Sequence, residues 1–239
     1  DKIVEHAEML NYRAIALTDE RVLYGAVAFY EACIGRGIQP ILGLVVPYIY
    51  EGISIPIIFY AKNNTGYEQL IKMSAVLETE ESPAMEGLAM DELIAIVPAD
   101  NEYVQKTCTE DQLNKFLQTV SSKMNKEDLY IGISHTMMDE TNIDKFRTLE
   151  QTFYIKAVVI HDVRYSDQKD YIAYDCLQAM HDGRKWDENN VQEQQVRYMK
   201  SKDEMKRVFH YWPELMERTE EIVEKCHVHF DFNRVQLPA

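Results

Sequence analysis

Cysteine is scarce in this 239-residue chain: Cys33, Cys108, Cys176 and Cys226 stand far apart, with no CxxC pair. That excludes a local zinc ribbon and a disulfide framework, and it reads as reduced, mostly buried thiols in a cytoplasmic protein. Long apolar runs are missing as well. No stretch approaches 18 consecutive apolar residues and no charged-then-apolar leader opens the chain, so neither a helical membrane span nor a secretion signal is supported. Positive charge is in short supply: 25 Lys and Arg face 40 Asp and Glu, a formal net charge of −15. Such a balance repels a phosphate backbone, so no strong direct DNA binding by the chain as a whole is expected, although a local basic patch is compatible with it. With only nine glycines, Gly35-Arg36-Gly37 is no GxGxxG, and HExxH, GxSxG and phosphate-loop patterns are absent.

What is present is a core and an alternating order. A hydrophobic content of 46% suffices for one large α/β domain or two small ones. Ile3, Val4, Ala7 and Leu10 recur at helical spacing and give way to an apolar strand, Ala14 to Leu17, followed by the acidic pair Asp19-Glu20. Gly25 to Arg36 is the next predicted helix, with Phe29 and Cys33 on one face and Gly37 as its cap. Strands are expected over Ile41–Ile49 and Ile53–Tyr60 as an antiparallel pair, with Pro56 arguing against a central position for the second.

The alternation continues: a helix over Thr65–Val76, an acidic loop from Glu78 to Glu86, and a strand at Leu93–Val97. Thr109-Glu110-Asp111-Gln112 is a capping box for a helix whose buried stripe is Leu113, Phe116, Leu117 and Val120. Next come a strand Leu129–Ser134, a helix Asn142–Thr152 and a strand Ala157–Ile160, a β-then-α order that favours a parallel sheet or barrel.

After Tyr165 the pattern turns helical. Helices are expected over Gln168–His181, after the capping box Ser201-Lys202-Asp203-Glu204, and after Pro213, where Leu215, Thr219, Ile222, Val223 and Cys226 share a face. A polar excursion separates the first two, over Gly183–Gln195. Trp212 reads as a packing anchor between helices. The chain opens on Asp1 and closes on Leu237-Pro238-Ala239, and the expectation is that it has been cut from something longer at both ends.

Three strands end in groups able to bind a metal or move a proton: Asp19-Glu20, His135 and His161-Asp162. If those strands lie parallel and side by side, the five side chains gather at one rim, and mixed histidine and carboxylate ligands suit zinc, manganese or iron. The plainer alternative, that each caps the turn after its strand, stays open at this point. His227 and His229, flanking Val228, make a second and weaker candidate pair.

The segment ALTDERVLYGAVAFYEACIGRGIQPILGL, residues 16 to 44, resembles the second and third motifs of the PHP domain family (polymerase and histidinol phosphatase). IHDVRYSDQKDYIAYDCLQAMHDGRK, YMKSKDEM and PELMERTEEIVEKCHV extend the likeness to the form found at the N-terminus of bacterial DNA polymerase III alpha subunits, in the style of low-GC Gram-positive bacteria. The resemblance implies a distorted (β/α)7 barrel with a helical C-terminal extension. Residues 1–165 would form the barrel, lacking its first strand and His-x-His motif, and residues 166–239 a helical segment packing on the barrel and leading toward a polymerase core.

Active members carry a trinuclear metal cluster and hydrolyse phosphoesters, and some proofread. By resemblance the remnant site here is Asp19, Glu20, His135, His161, Asp162 and Arg164, with Asp19, His135 and Asp162 as the residual metal ligands. Three positions depart from the pattern: Glu20 stands for a histidine, Val45 for the Glu of Gly-x-Glu, and Arg164 for the histidine of Asp-x-His. A guanidinium in place of a ligand works against a cation cluster. The implied reading is a module of a DNA-directed nucleotidyltransferase of DNA replication, itself inactive and with no cofactor expected. The alternative is a phosphoesterase or proofreading exonuclease using a divalent metal such as zinc or manganese. Implied partners are the remaining polymerase domains and other replisome proteins, with no membrane.

Overall fold

The computed structural model describes residues 2–79, 87–107, 109–187 and 196–232. Its strands and helices follow the alternation in the sequence: α1 Lys2–Met9, β1 Ala14–Glu20, α2 Ala26–Ile34, β2 Gln39–Tyr50, β3 Ile53–Ala61, α3 Asn64–Thr79 and β4 Leu93–Pro98. Then come α4 Glu110–Ser121, β5 Leu129–Ile133, α5 Glu140–Phe153, β6 Lys156–Val159, α6 Tyr171–His181, α7 Lys202–Val208 and α8 Glu214–Lys225. The tail Leu237-Pro238-Ala239, Cys108 and most of the two expected polar loops (80–86 and 188–195) lie outside the described residues. Glu78 and Thr79, expected in the first of those loops, still belong to α3.

One six-stranded sheet runs in the order β1 to β6. β1 pairs parallel with β2, β2 with β3 and β3 with β4 antiparallel, and β4, β5 and β6 parallel. Every strand but β3 therefore points the same way, and their C-terminal ends share one rim, where α/β sheets place their chemistry. The sheet curls, and a cavity of about 410 Å³ is lined from both ends of the strand order, by Ala14 and Ala16 of β1 and Val158 and Val159 of β6.

Two sequence expectations are corrected. β1 does not stop at Leu17 but continues through Glu20, because Asp19 and Glu20 stay in register opposite Leu44 and Val45. β3 is interior, between β2 and β4, despite Pro56. The proline is tolerated because β4 reaches only Ile58 to Ala61, while Pro56 lies opposite Pro47 in the part of the hairpin that overhangs β4 and is edge-like there.

Alternation along the strands divides the core. Leu42, Leu44, Val46, Phe59, Ala95, Val97, Leu129 and Ile131 face the outer helices, together with Phe29 and Cys33 of α2 and Phe116 and Leu117 of α4. Ile41, Ile94, Ile96, Tyr130 and Val158 face the concave side, where Ile222 and Cys226 of α8 cover them. Complete burial of a side chain such as Ile222 is worth roughly 1.5–3 kcal/mol.

Polar groups pin α8 to β6, at one end of the strand order, and to β2, next to the other end. Arg218 donates to the Ala157 carbonyl of β6 at 2.8 Å, and Gln39 at the start of β2 donates to the Val223 and Cys226 carbonyls at 2.7 and 2.6 Å. Both predicted capping boxes form, at Thr109/Gln112 and Ser201/Glu204. Trp212 is buried, with the guanidinium groups of Arg147 and Arg218 stacked 5.2 and 5.9 Å from its ring. At the end of α2, Gly37 takes φ +67°, and the Ile38 N–H reaches back to the Cys33 carbonyl, a left-handed stop that suits glycine.

Candidate functional site

The shared rim carries the predicted residues on three elements. Asp19 and Glu20 end β1, His135 opens a short 3₁₀ turn (His135–Met137) after β5, and His161 and Asp162 follow β6. A fourth contributor was not anticipated. The Tyr165 backbone forms a parallel bridge to Tyr198, the Arg164 N–H donates to the Arg197 carbonyl at 2.9 Å, and the Met199 N–H to the Tyr165 carbonyl at 3.1 Å. This ladder lays the segment from Val196 to Lys200 beside the His161–Tyr165 stretch and brings Arg197, Tyr198 and Lys200 to the rim.

The two histidines meet. Their rings lie edge to face, with centroids 6.3 Å apart and planes at 87°. His161 Nε2 stands 2.8 Å from the Tyr198 carbonyl, and since a carbonyl only accepts, Nε2 carries the proton and Nδ1 the lone pair. Burial pushes the His161 pKa down to about 4; the Tyr198 hydrogen bond opposes this, and the Lys200 charge adds to it. His135 is shifted down as well, by burial and then by Lys200, with Asp100 pulling the other way. Both imidazoles are therefore neutral at neutral pH.

Asp162 is already occupied. Arg164 Nε lies 2.7 Å from Oδ1 and Arg197 Nη1 3.1 Å from Oδ2, so each carboxylate oxygen faces a guanidinium. Glu20 contributes to holding Arg164 charged, which places the end of β1 within electrostatic reach of the stretch after β6. Asp19 packs close to Gly25: a methyl group at that glycine would stand 3.3 Å from its Oδ2. Among the described residues, neither Asp19 nor Glu20 makes an ion pair within 4 Å.

The donor set does not fit a metal cluster. No group of three or more His, Cys, Asp or Glu side chains able to hold a metal ion occurs among the described residues. Of the expected ligands Asp19, His135 and Asp162, the last has both oxygens engaged by arginine, and three cationic side chains, Arg164, Arg197 and Lys200, stand at the rim. In the second histidine pair each ring is engaged separately: His227 Nε2 contacts the Glu224 carbonyl at 2.9 Å and His229 Nδ1 the Tyr30 hydroxyl at 3.2 Å. The thiols of Cys33 and Cys226 are buried, and burial raises their pKa values to about 11 and about 12, so neither is a ready nucleophile.

The family model of the PHP domain matches residues 1–136. Among curated proteins, the DNA polymerase III subunit alpha of Halalkalibacterium halodurans is 28% identical over 247 residues, covering 99% of this chain and 22% of that protein. The subunit of the same name from Bacillus subtilis is 28% identical over 249 residues, covering 100% and 22%. The one from Rickettsia bellii is 25% identical over 253 residues, with the same coverage. The chain thus spans about a fifth of the length of the curated relatives it matches. Among solved structures, a putative metal-dependent phosphoesterase from Bifidobacterium adolescentis aligns with TM-score 0.46 and 10% identity, over 66% of this chain and 79% of that one.

Proposed function

The chain belongs to the PHP domain family, and from that premise we propose that it is the N-terminal PHP module of a DNA polymerase III alpha subunit, with a structural and interaction role and a rim that has lost its metal chemistry. The whole-chain match to alpha subunits supports the first half of this reading. The observation that carries the second is Asp162, held by Arg164 and Arg197 at the position where the family's pattern calls for a metal ligand. In this reading Asp19, Glu20, His135, His161, Asp162 and Arg164 are a remnant, and no cofactor acts there.

The parent would be a DNA-directed nucleotidyltransferase of the cytoplasm, with primer-template contacts made by its other domains. The net charge of −15 supports that division of labour. No helix among the described residues is long and apolar enough to cross a membrane. Residues 1–165 would form the barrel, and residues 166–239 would join it to the polymerase core. The partners would be those other domains and further replisome proteins.

The complete polypeptide supplies the test. Full-length protein is expected to extend a primed template, and Asp19→Ala, His135→Ala and Asp162→Ala to leave both extension and terminal-nucleotide removal unchanged. A metal-dependent phosphoesterase or exonuclease activity that Asp162→Ala abolishes overturns the remnant reading in favour of an active one.

A further inference from the structure

Beside the two neutral imidazoles of the rim stands a buried cation, Lys200. It is only 6% exposed, and its ammonium is held by the Val196 carbonyl, stands 4.2 Å from the centre of the Tyr198 ring and lies 3.5 Å from His161 Nε2. Lysine is rarely buried without partners, and here a carbonyl and an aromatic face supply them. Its backbone is fixed too. Tyr12 donates its hydroxyl to the Lys200 carbonyl at 2.7 Å, the Tyr165–Tyr198 bridge precedes it, and the Ser201 helix cap follows. The side chain is therefore built into the rim rather than wandering at the surface; burial lowers the Lys200 pKa and the Glu204 charge opposes that shift.

The histidine pair it faces is close to a metal-binding arrangement. Two imidazoles on one tetrahedral zinc ion, with Zn–N near 2.0–2.1 Å, bring their ring centroids to roughly 5 Å, against 6.3 Å here. His161 carries its lone pair on Nδ1. Both rings feel Lys200 electrostatically, and a fixed positive charge at this distance opposes a divalent ion in a partly buried site.

We propose that Lys200 is the metal-excluding residue of the rim: its ammonium stands as the cation beside the His135–His161 pair and keeps that pair free of divalent metal. The proposal rests on the remnant reading and deepens it, since it assigns the exclusion to one residue.

Cobalt titration of the whole chain, followed by absorption in the visible range, tests it. Lys200→Met keeps the stem and removes the charge, while Lys200→Arg keeps a charge. Lys200→Met is expected to bind one equivalent of cobalt about tenfold or more tighter than the parent protein, Lys200→Met with His135→Ala to lose that gain, and Lys200→Arg to behave as the parent. Parent protein binding as tightly as Lys200→Met, or a folded Lys200→Met with no gain, overturns the proposal. If Lys200→Met does not fold, nitrogen NMR of the histidine side chains during zinc titration of the parent protein and of Lys200→Gln decides. Unchanged His135 and His161 signals in the parent protein together with specific shifts at one equivalent in Lys200→Gln support exclusion by Lys200, and specific shifts in the parent, or none in a folded Lys200→Gln, refute it. Failure of the remnant reading would show itself differently, as metal-dependent phosphoester hydrolysis by the parent protein.

Discussion

Asp128→Ala probes how the concave face is closed. Asp128 precedes β5 with its side chain only 7% exposed; Oδ1 lies 2.7 Å from Lys225 Nζ at the end of α8 and Oδ2 3.0 Å from Lys62 Nζ just after β3. One carboxylate thus ties β5, the end of β3 and α8 together. Removing it leaves two ammonium groups whose side chains are 16% and 32% exposed. Breaking a fully buried ion pair costs about 3–5 kcal/mol and an exposed one about 0–1. Lys62 keeps Glu92 at 3.7 Å and Lys225 keeps the Glu127 carbonyl at 2.9 Å, so the expected loss is about 2–3 kcal/mol, or about 5–10 °C in melting temperature for a chain of this size.

The pH dependence has a definite sign. Burial alone raises the Asp128 pKa, but the hydrogen bonds from Lys225 and Lys62 outweigh it and hold the folded value below the ordinary carboxylate range. A depressed folded pKa contributes stability that is fully present above the unfolded value near 4 and is lost as pH falls through the folded value. Urea unfolding followed by tryptophan fluorescence should therefore give a constant gap between parent and Asp128→Ala from about pH 6 to 8, shrinking below about pH 4. A loss under about 0.5 kcal/mol at pH 7, or a gap that widens in acid, refutes this reasoning.

Three further outcomes are expected. Gly43→Ala places a methyl group 2.6 Å from the Phe59 carbonyl oxygen and 3.0 Å from Thr18 Cγ2, and thermal melts should show a loss of about 1–3 kcal/mol. Trp212→Ala removes a buried ring and the platform on which Arg147 and Arg218 stack, and should cost about 3–5 kcal/mol in urea unfolding. Ser201→Ala removes the cap of α7, worth about 1 kcal/mol. The backbone N–H and hydroxyl of Ser201 and the Tyr198 hydroxyl hold Glu204 down at about 2. The contribution of that depressed carboxylate is present above the unfolded value near 4.3 and lost as pH falls toward 2, so the Ser201→Ala deficit in melting temperature should persist at pH 5.

Local signals were the legible ones. The capping boxes at Thr109 and Ser201 and the hairpin over β2 and β3 form where expected because their determinants lie within a few residues of one another. Pro56 misled, since a proline rule written for whole strands does not see that β4 covers only one end of β3. At the rim, Asp19, His135, His161 and Asp162 could be picked out because each lies at or just after the end of an apolar strand. Arg197 and Lys200 could not, because only the pairing of Tyr165 with Tyr198, across a polar stretch of no period, brings them there. The Arg164–Asp162 pair joins residues two apart in the sequence, whereas the second guanidinium on Asp162 comes from 35 residues away and carries no local signal.

Metal content bears most directly on the claim that the rim is a remnant. Protein purified without chelator and analysed for zinc, manganese and iron, then assayed on a phosphoester with those metals added, should contain well under one equivalent and show no hydrolysis above that of Asp162→Ala. Stoichiometric metal together with hydrolysis that Asp162→Ala abolishes would contradict it.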